Sequence, residues 1–178
     1  MLPNIAWSIV HLTPVVIFCF QALPVSLVYL FSAVSILPYF FPNSHFNRFV
    51  IGRSAGFYKK IGIGLIQKYT QDGPVIYRLI RKKFPGYKVL DGKKEMKKQL
   101  SKTYFFEKFP AALLLFFLLA TWYALVHNQT GWAVIITINN VFYNVYPILL
   151  QQYIRLRIYA LISRMEISGV NKYRRGSE

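Results

Sequence analysis

Acidic residues are scarce in this chain, six among 178, against 22 lysines and arginines, and the formal net charge is +16. So few carboxylates leave paired-carboxylate chemistry with almost no participants. Cys19 is the single cysteine and lies inside an apolar stretch, which excludes an intramolecular disulfide and a Cys-based zinc site. No metal site and no resident cofactor is expected. Lys and Arg are missing altogether from Met1 to Asn47 and again from Phe109 to Ile154, while fifteen of them crowd between Arg48 and Lys102. The chain also lacks a nucleophile elbow, a P-loop, an HExxH helix and a dinucleotide fingerprint, so the familiar soluble-enzyme signatures point nowhere. The N-terminus has no positive n-region, and no small-residue cleavage site follows the first apolar run. It is expected to be retained rather than removed as a signal peptide.

What is present is apolar: 54% of the residues are hydrophobic and 17% aromatic. From Ile5 to Phe41 the run is almost unbroken, and as one helix it would measure about 55 Å against a hydrocarbon core of about 30 Å. Two shorter helices fit instead, spans near 4–22 and 24–41, with Pro24 suited to a first helical turn. A third span over 109–126 includes AALLLFFLLATWYAL, and Pro110 suits its first turn in the same way. His127 to Trp132 reads as a short polar turn, and a fourth span over 133–150 continues as a surface helix through Arg164. The expected fold class is an all-α integral membrane protein with four transmembrane helices and amphipathic interfacial helices in a cytoplasmic segment. Four segments follow: a hairpin over 1–41, a basic membrane-apposed segment over 42–108, a second hairpin over 109–150, and a C-terminal helix and tail over 151–178.

Clustered Lys and Arg also attract nucleic acid, but a basic segment flanked by apolar spans is better explained by orientation in a membrane and by anionic headgroups. The expected partners are membrane lipids, anionic headgroups and a membrane protein, with no nucleic acid. The positive-inside rule puts both basic regions, and hence both termini, in the cytoplasm, most simply at a bacterial cytoplasmic membrane. Within the basic segment Phe46, Phe49, Val50, Phe57, Ile61, Leu65 and Ile66 recur near helical spacing. VIYRLIRKKF, between Gly73-Pro74 and Pro85-Gly86, reads as a short interfacial helix. DGKKEMKKQLSK reads as solvated.

Several polar residues stand out against this background. The fourth span carries Thr137, Asn139, Asn140 and Asn144, then Gln151 and Gln152 at its end; Asn140, Asn144 and Gln151 share one face, where they either position a headgroup or ester carbonyl or bond to neighbouring helices. Pro147 predicts a kink that frees the carbonyl of Tyr143. His11, on one face with Ser8, is the one ionisable side chain expected deep in hydrocarbon, and a base role there needs a partner from another helix. Glu107 sits at a membrane entry beside Lys108, with which it can pair. His45 and Arg48 follow the second span, where a phosphate or carboxylate headgroup can be held or basic side chains simply snorkel.

Three stretches, FYKKIGIGLIQKYTQDG (57–73), KTYFFEKFPA (102–111) and NVYPILLQQYIRLRI (144–158), together resemble the glycosyl-4,4'-diaponeurosporenoate acyltransferases, small bacterial membrane proteins that acylate the sugar of a glycosylated carotenoid. The last stretch is similar to the family's N-x-P…QRYNRPRL pattern, and Asn144, Gln151, Tyr153, Arg155 and Arg157 match it. The resemblance implies a headgroup or lipid site at these residues, and acyl-CoA or acyl carrier protein as donor if the protein is an enzyme. The family's Glu-x-x-His stands here as Glu107-Lys108-Phe109-Pro110, and proline cannot take a proton from a sugar hydroxyl. Its Trp-Lys pair aligns with Ile66-Gln67, and the Asn and Pro of the last motif align with Ile154 and Leu156. The preferred expectation is therefore a non-catalytic membrane-complex subunit or lipid-binding scaffold. The alternative is a divergent acyltransferase acting on a glycolipid or carotenoid glycoside, with His11 or Glu107 as candidates for the lost base.

Overall fold

Apolar runs of this length satisfy their backbone groups internally, and helices result. The computed structural model describes residues 2–52, 54–63 and 93–175, with side chains for 5–52, 54–63 and 96–164. It is helical, with no strand among the described residues. In chain order the elements are α1 (Leu2–Gln21), α2 (Val25–Ser35), α3 (Leu37–Phe40), α4 (Asn43–Arg48), α5 (Ala55–Lys60), α6 (Lys93–Val126), α7 (Thr130–Asn140), a π-helical turn (Val141–Val145) and α8 (Tyr146–Arg175). The expected interfacial helix VIYRLIRKKF, together with Leu65 and Ile66, falls outside the described residues.

Two stretches, Met96–Val126 and Thr130–Arg164, are long and apolar enough to cross a membrane, whereas Ile5–Gln21 and Val25–Phe40 are shorter apolar helices. In the two long stretches only 28% and 33% of the apolar window is buried. Phe20, Phe40 and Trp122 are exposed at 88%, 79% and 69%. Outward aromatic surface on this scale is costly in water and suits hydrocarbon, which supports a membrane location.

The chain divides into two compact units, the first of residues 1–48 and 106–148, the second of 49–105 and 149–178. The first is centred on Val15, Phe18, Leu23, Phe117, Ala120, Ala124, Ala133 and Ile136. Ala120 and Ala124, one turn apart and both fully buried, let helices approach closely, the packing mode available where water supplies no driving force. Phe18 fills the remaining space, its ring 5.7 Å from that of Trp132 and 6.4 Å from that of Tyr123. In the second unit Tyr58, Ile63, Met96, Tyr104, Leu149, Leu150, Tyr153 and Ile158 are buried.

Several boundaries differ from expectation, each for a local reason. Pro24 is the cap before α2 and not its first turn; its extended backbone (φ −56°, ψ 137°) offers the carbonyl to Leu27 and Val28 at 2.9 and 3.1 Å. Ile36 separates α2 from α3 because Pro38, in the first turn of α3, has no N–H for the preceding turn. The helix that holds the third expected span starts far earlier: α6 is helical from Lys93, so KKEMKKQLSK is helix and Pro110 is buried in its interior. Strong helix formers such as Lys, Glu, Met and Gln favour this extension. The turn after α6 is shorter than His127 to Trp132, since α7 already begins at Thr130. Asn128 takes the left-handed conformation (φ 59°). Gln129 N–H bonds Ala124 O at 2.8 Å and Asn128 N–H bonds Leu125 O at 3.1 Å, the paired closure that ends helices at a left-handed residue. The irregularity near Pro147 is the π turn just before it, where Tyr146 N–H reaches back to Val141 O. One extra residue in the turn makes room for a ring that would otherwise strike the carbonyl of Tyr143.

Candidate functional site

In the first unit α1 packs against α7, its side chains also meet Phe142 and Tyr143 of the π turn, and the pairing with α7 joins His11 to a residue 128 positions away. His11 Nδ1 lies 2.7 Å from Asn139 Oδ1. The orientation of that amide is set by its other end, since Asn139 Nδ2 donates to Ile135 O at 2.8 Å. Oδ1 is therefore the atom facing the imidazole, and being an acceptor it requires the proton on Nδ1. In the neutral ring Nε2 then carries the lone pair, the form of a histidine that can accept a proton. The ring is held among Trp7, Tyr143 and Phe142, at centroid distances of 4.3, 5.9 and 6.4 Å. One turn before His11, the Ser8 hydroxyl accepts a hydrogen bond from Tyr143 OH at 2.9 Å. Ser8, His11, Asn139 and Tyr143 thus form one polar strip between two apolar helices.

Asn140 and Asn144 are also brought together. Asn144, fully buried, donates through Nδ2 to Asn140 Oδ1 at 2.8 Å, and Asn140 Nδ2 reaches Leu114 O at 3.4 Å. Among the described residues, no donor reaches the buried Asn144 Oδ1 atom. Glu107 is buried within α6. Its neighbour Lys108 donates through Nζ to Tyr39 O at 3.0 Å and sits 6.0 Å from the Phe46 ring centre. His45 and Arg48 belong to the short α4, where the His45 ring stacks on Phe41 at 5.6 Å and Arg48 is exposed.

In the second unit the polar centre is Gln152. Its Oε1 accepts from Tyr58 OH at 3.1 Å and from Ile51 N–H at 3.3 Å, and its Nε2 donates to Phe49 O at 3.3 Å. Tyr58 OH in turn accepts from Gly52 N–H at 3.1 Å, so one amide and one phenol hold the backbone of the segment between α4 and α5. Tyr58 is positioned by α5, which Ser54 caps through a bond from Phe57 N–H to its Oγ at 3.4 Å. The Tyr153 ring lies 5.8 Å from that of Tyr58. The buried Arg155 guanidinium stands 4.3 Å from the Tyr104 ring centre, and Tyr104 OH is 3.0 Å from Tyr159 OH. Arg157 is exposed, 5.8 Å from the Tyr153 ring.

The residues singled out from sequence thus separate. Tyr153 and Arg155 belong to the buried cluster of the second unit, whereas Gln151 is only half-buried and its neighbour Gln152 makes the bonds. A face counted at 3.6 residues per turn assigns the amide to Gln151, but the π turn over Val141–Val145 takes up one residue more. Tyr58 and Tyr104 were not singled out, and Asn139 and Gln152 counted only among the polar residues of the fourth span, off the face chosen. A further sequence signal is that Tyr58, Tyr104 and Gln152 lie inside the three stretches quoted above, parts of which, FYKKIGI, KTYF and LQQYIRLRI, converge here.

That convergence fits what comparison with known proteins shows. Residues 40–164 match the family model for glycosyl-4,4'-diaponeurosporenoate acyltransferase. No curated protein and no solved structure matches the chain. The match takes in α4 to α6, α7, the π turn and the described side chains of α8, and leaves out His11. Extending over well more than half of the sequence, it makes this chain a member of the glycosyl-4,4'-diaponeurosporenoate acyltransferase family.

Proposed function

We propose that this chain is a four-span membrane protein with both termini cytoplasmic, and that it transfers a fatty acyl group to a hydroxyl of a glycosylated membrane lipid with His11 as general base. The observation that carries the reading is the bond from His11 Nδ1–H to Asn139 Oδ1, which leaves Nε2 able to accept a proton. Pro110 occupies the place of the family's histidine, and His11 lies outside the matched residues, so the base is supplied from α1. In the step proposed, the hydroxyl oxygen attacks the carbonyl carbon of a thioester donor, acyl-CoA or acyl carrier protein. A C–O bond forms as the C–S bond breaks, and the hydroxyl proton passes through Nε2 to the departing thiolate. Ser8 and Tyr143, nearer the cytoplasmic ends of their helices in this topology, line the path by which a sugar approaches.

The contrasting reading, a lipid-binding scaffold or membrane-complex subunit that has kept the fold without chemistry, is favoured by Pro110, buried inside α6 where the family carries an acid–base group. Lipid mass spectrometry separates the two. Deleting the gene is expected to remove a glycolipid or pigment species heavier by one fatty acyl group, and complementation with His11→Gln should not restore it. Removal of a proton acceptor of this kind lowers rates by about 10²–10⁴-fold. An unchanged lipid profile on deletion, or full restoration by His11→Gln, overturns the catalytic reading.

A further inference from the structure

Between α4 and α5 the spacing of apolar residues suggests an interfacial helix, yet residues 49–52, at the start of the second unit, are not helical. Phe49 and Ile51 are exposed at 70% and 62%, whereas Val50 between them is half-buried and Gly52 is buried. Phe57, also exposed, belongs to the same patch, since a Cβ on Gly52 would collide with its ring. Lys59 and Lys60 are exposed at the end of the same short helix, α5. Irregular backbone is normally kept from hydrocarbon, where no water bonds its N–H and C=O groups. Here side chains do so: Phe49 O and Ile51 N–H bond Gln152, and Gly52 N–H bonds Tyr58 OH. Backbone polar groups are thus tied inward while the large apolar side chains are left outside.

Three such side chains fall short of the roughly 800 Å² per partner that a stable protein interface buries. They suit a bilayer, which a chain with two stretches of span length already meets. Lysines complete such a patch, their stems lying along apolar surface while their ammonium groups reach anionic headgroups. We infer that residues 49–52 are a membrane-inserting segment: Phe49, Ile51 and Phe57 enter the upper acyl chains of the cytoplasmic leaflet, Lys59 and Lys60 hold anionic headgroups, and Gln152 with Tyr58 is the clamp that lets irregular backbone approach hydrocarbon. The inference rests on the topology proposed above only for which leaflet is met.

The test uses the full chain with Cys19→Ser in nanodiscs, whose two faces carry the same lipid, so its outcome is independent of topology. Ile51→Cys leaves the clamp in place, because Ile51 bonds Gln152 through its backbone. A water-soluble maleimide should modify Ile51→Cys far more slowly than Lys97→Cys, a position exposed in the same unit, at a rate that follows the fraction of time the segment is withdrawn. In phosphatidylglycerol nanodiscs Lys59→Gln and Lys60→Gln should each raise that rate about fivefold, and in phosphatidylcholine neither should. An environment-sensitive fluorophore coupled to Ile51→Cys should be quenched by phospholipid brominated on its upper acyl chain. Modification as fast as at Lys97→Cys places the segment in water and overturns the inference. Slow modification without quenching places protein over the patch and overturns it equally, as does a rate that neither lysine variant moves in phosphatidylglycerol. A topology opposite to the one proposed would change only the leaflet, and none of these outcomes bears on acyl transfer.

Discussion

At the scale of single residues, two positions hold the second unit together. Gln152 satisfies Phe49 O, Ile51 N–H and Tyr58 OH at once, and Leu in its place would remove all three bonds, the loss at the buried Tyr58 hydroxyl alone costing about 1–3 kcal/mol. Gln152→Leu is therefore expected to lower the thermal midpoint in detergent sharply, whereas Gln151→Leu should leave it nearly unchanged; equal effects would refute the assignment of Gln152 as the hub. Gly52 is the second, because a Cβ there would collide with the Phe57 ring and come within 2.8 Å of Tyr58 Cε2. Gly52→Ala should cost about 1–3 kcal/mol through displacement of those rings, read as reduced folded yield by size-exclusion chromatography. Asn144 is the opposite case. Among the described residues its side chain makes one bond and its oxygen meets no donor, so Asn144→Leu should change stability by about 0.6 kcal/mol or less. Loss of function in that variant at normal yield would show that Asn144 positions a ligand.

Elements are shaped by small numbers of backbone-directing residues. The hairpin between α6 and α7 turns on Asn128 at φ 59°, a conformation glycine adopts without strain and a β-branched residue resists. Asn128→Gly should preserve or slightly raise the thermal midpoint, and Asn128→Val should lower it by the equivalent of about 1–2 kcal/mol. A midpoint unmoved by valine would mean that the turn adopts another conformation in the membrane. Pro147 acts through the π turn in the same manner. The proline itself was legible as a disturbance, but whether a chain answers with a kink or with an inserted residue depends on which arrangement packs better, and that is settled by neighbouring helices. Pro110 shows the same limit: alone it suits a first turn, yet the helix-forming residues before it carry α6 back to Lys93.

For the whole molecule the governing feature is the segregation of charge from apolar runs. Four spans with cytoplasmic termini require residues near Lys97 to lie on one side of the membrane and Asn128 on the other. In a Cys19→Ser background, a cysteine at Asn128 should react with an impermeant maleimide in intact cells, and one at Lys97 only after permeabilisation. Reaction of both in intact cells, or of Lys97 first, would sink this topology. Both positions are exposed, so accessibility to the reagent is governed by the membrane and not by burial in the fold.

Helical architecture, the apolar stretches and the family motifs are properties of neighbouring residues, and sequence by itself determined them. Hydrophobic runs of span length have one way to satisfy their backbone, and short motifs survive as local strings. The partner of His11 is of another kind. Asn139 is one of several polar residues on α7 and the π turn, and only the packing of α1 against them selected it and, through Ile135 O, the way its amide faces. Likewise the choice between Gln151 and Gln152 turned on a single inserted residue. Periodicity is local, whereas hydrogen bonds across 128 and 103 positions depend on how whole helices come together, and that was left to the tertiary structure.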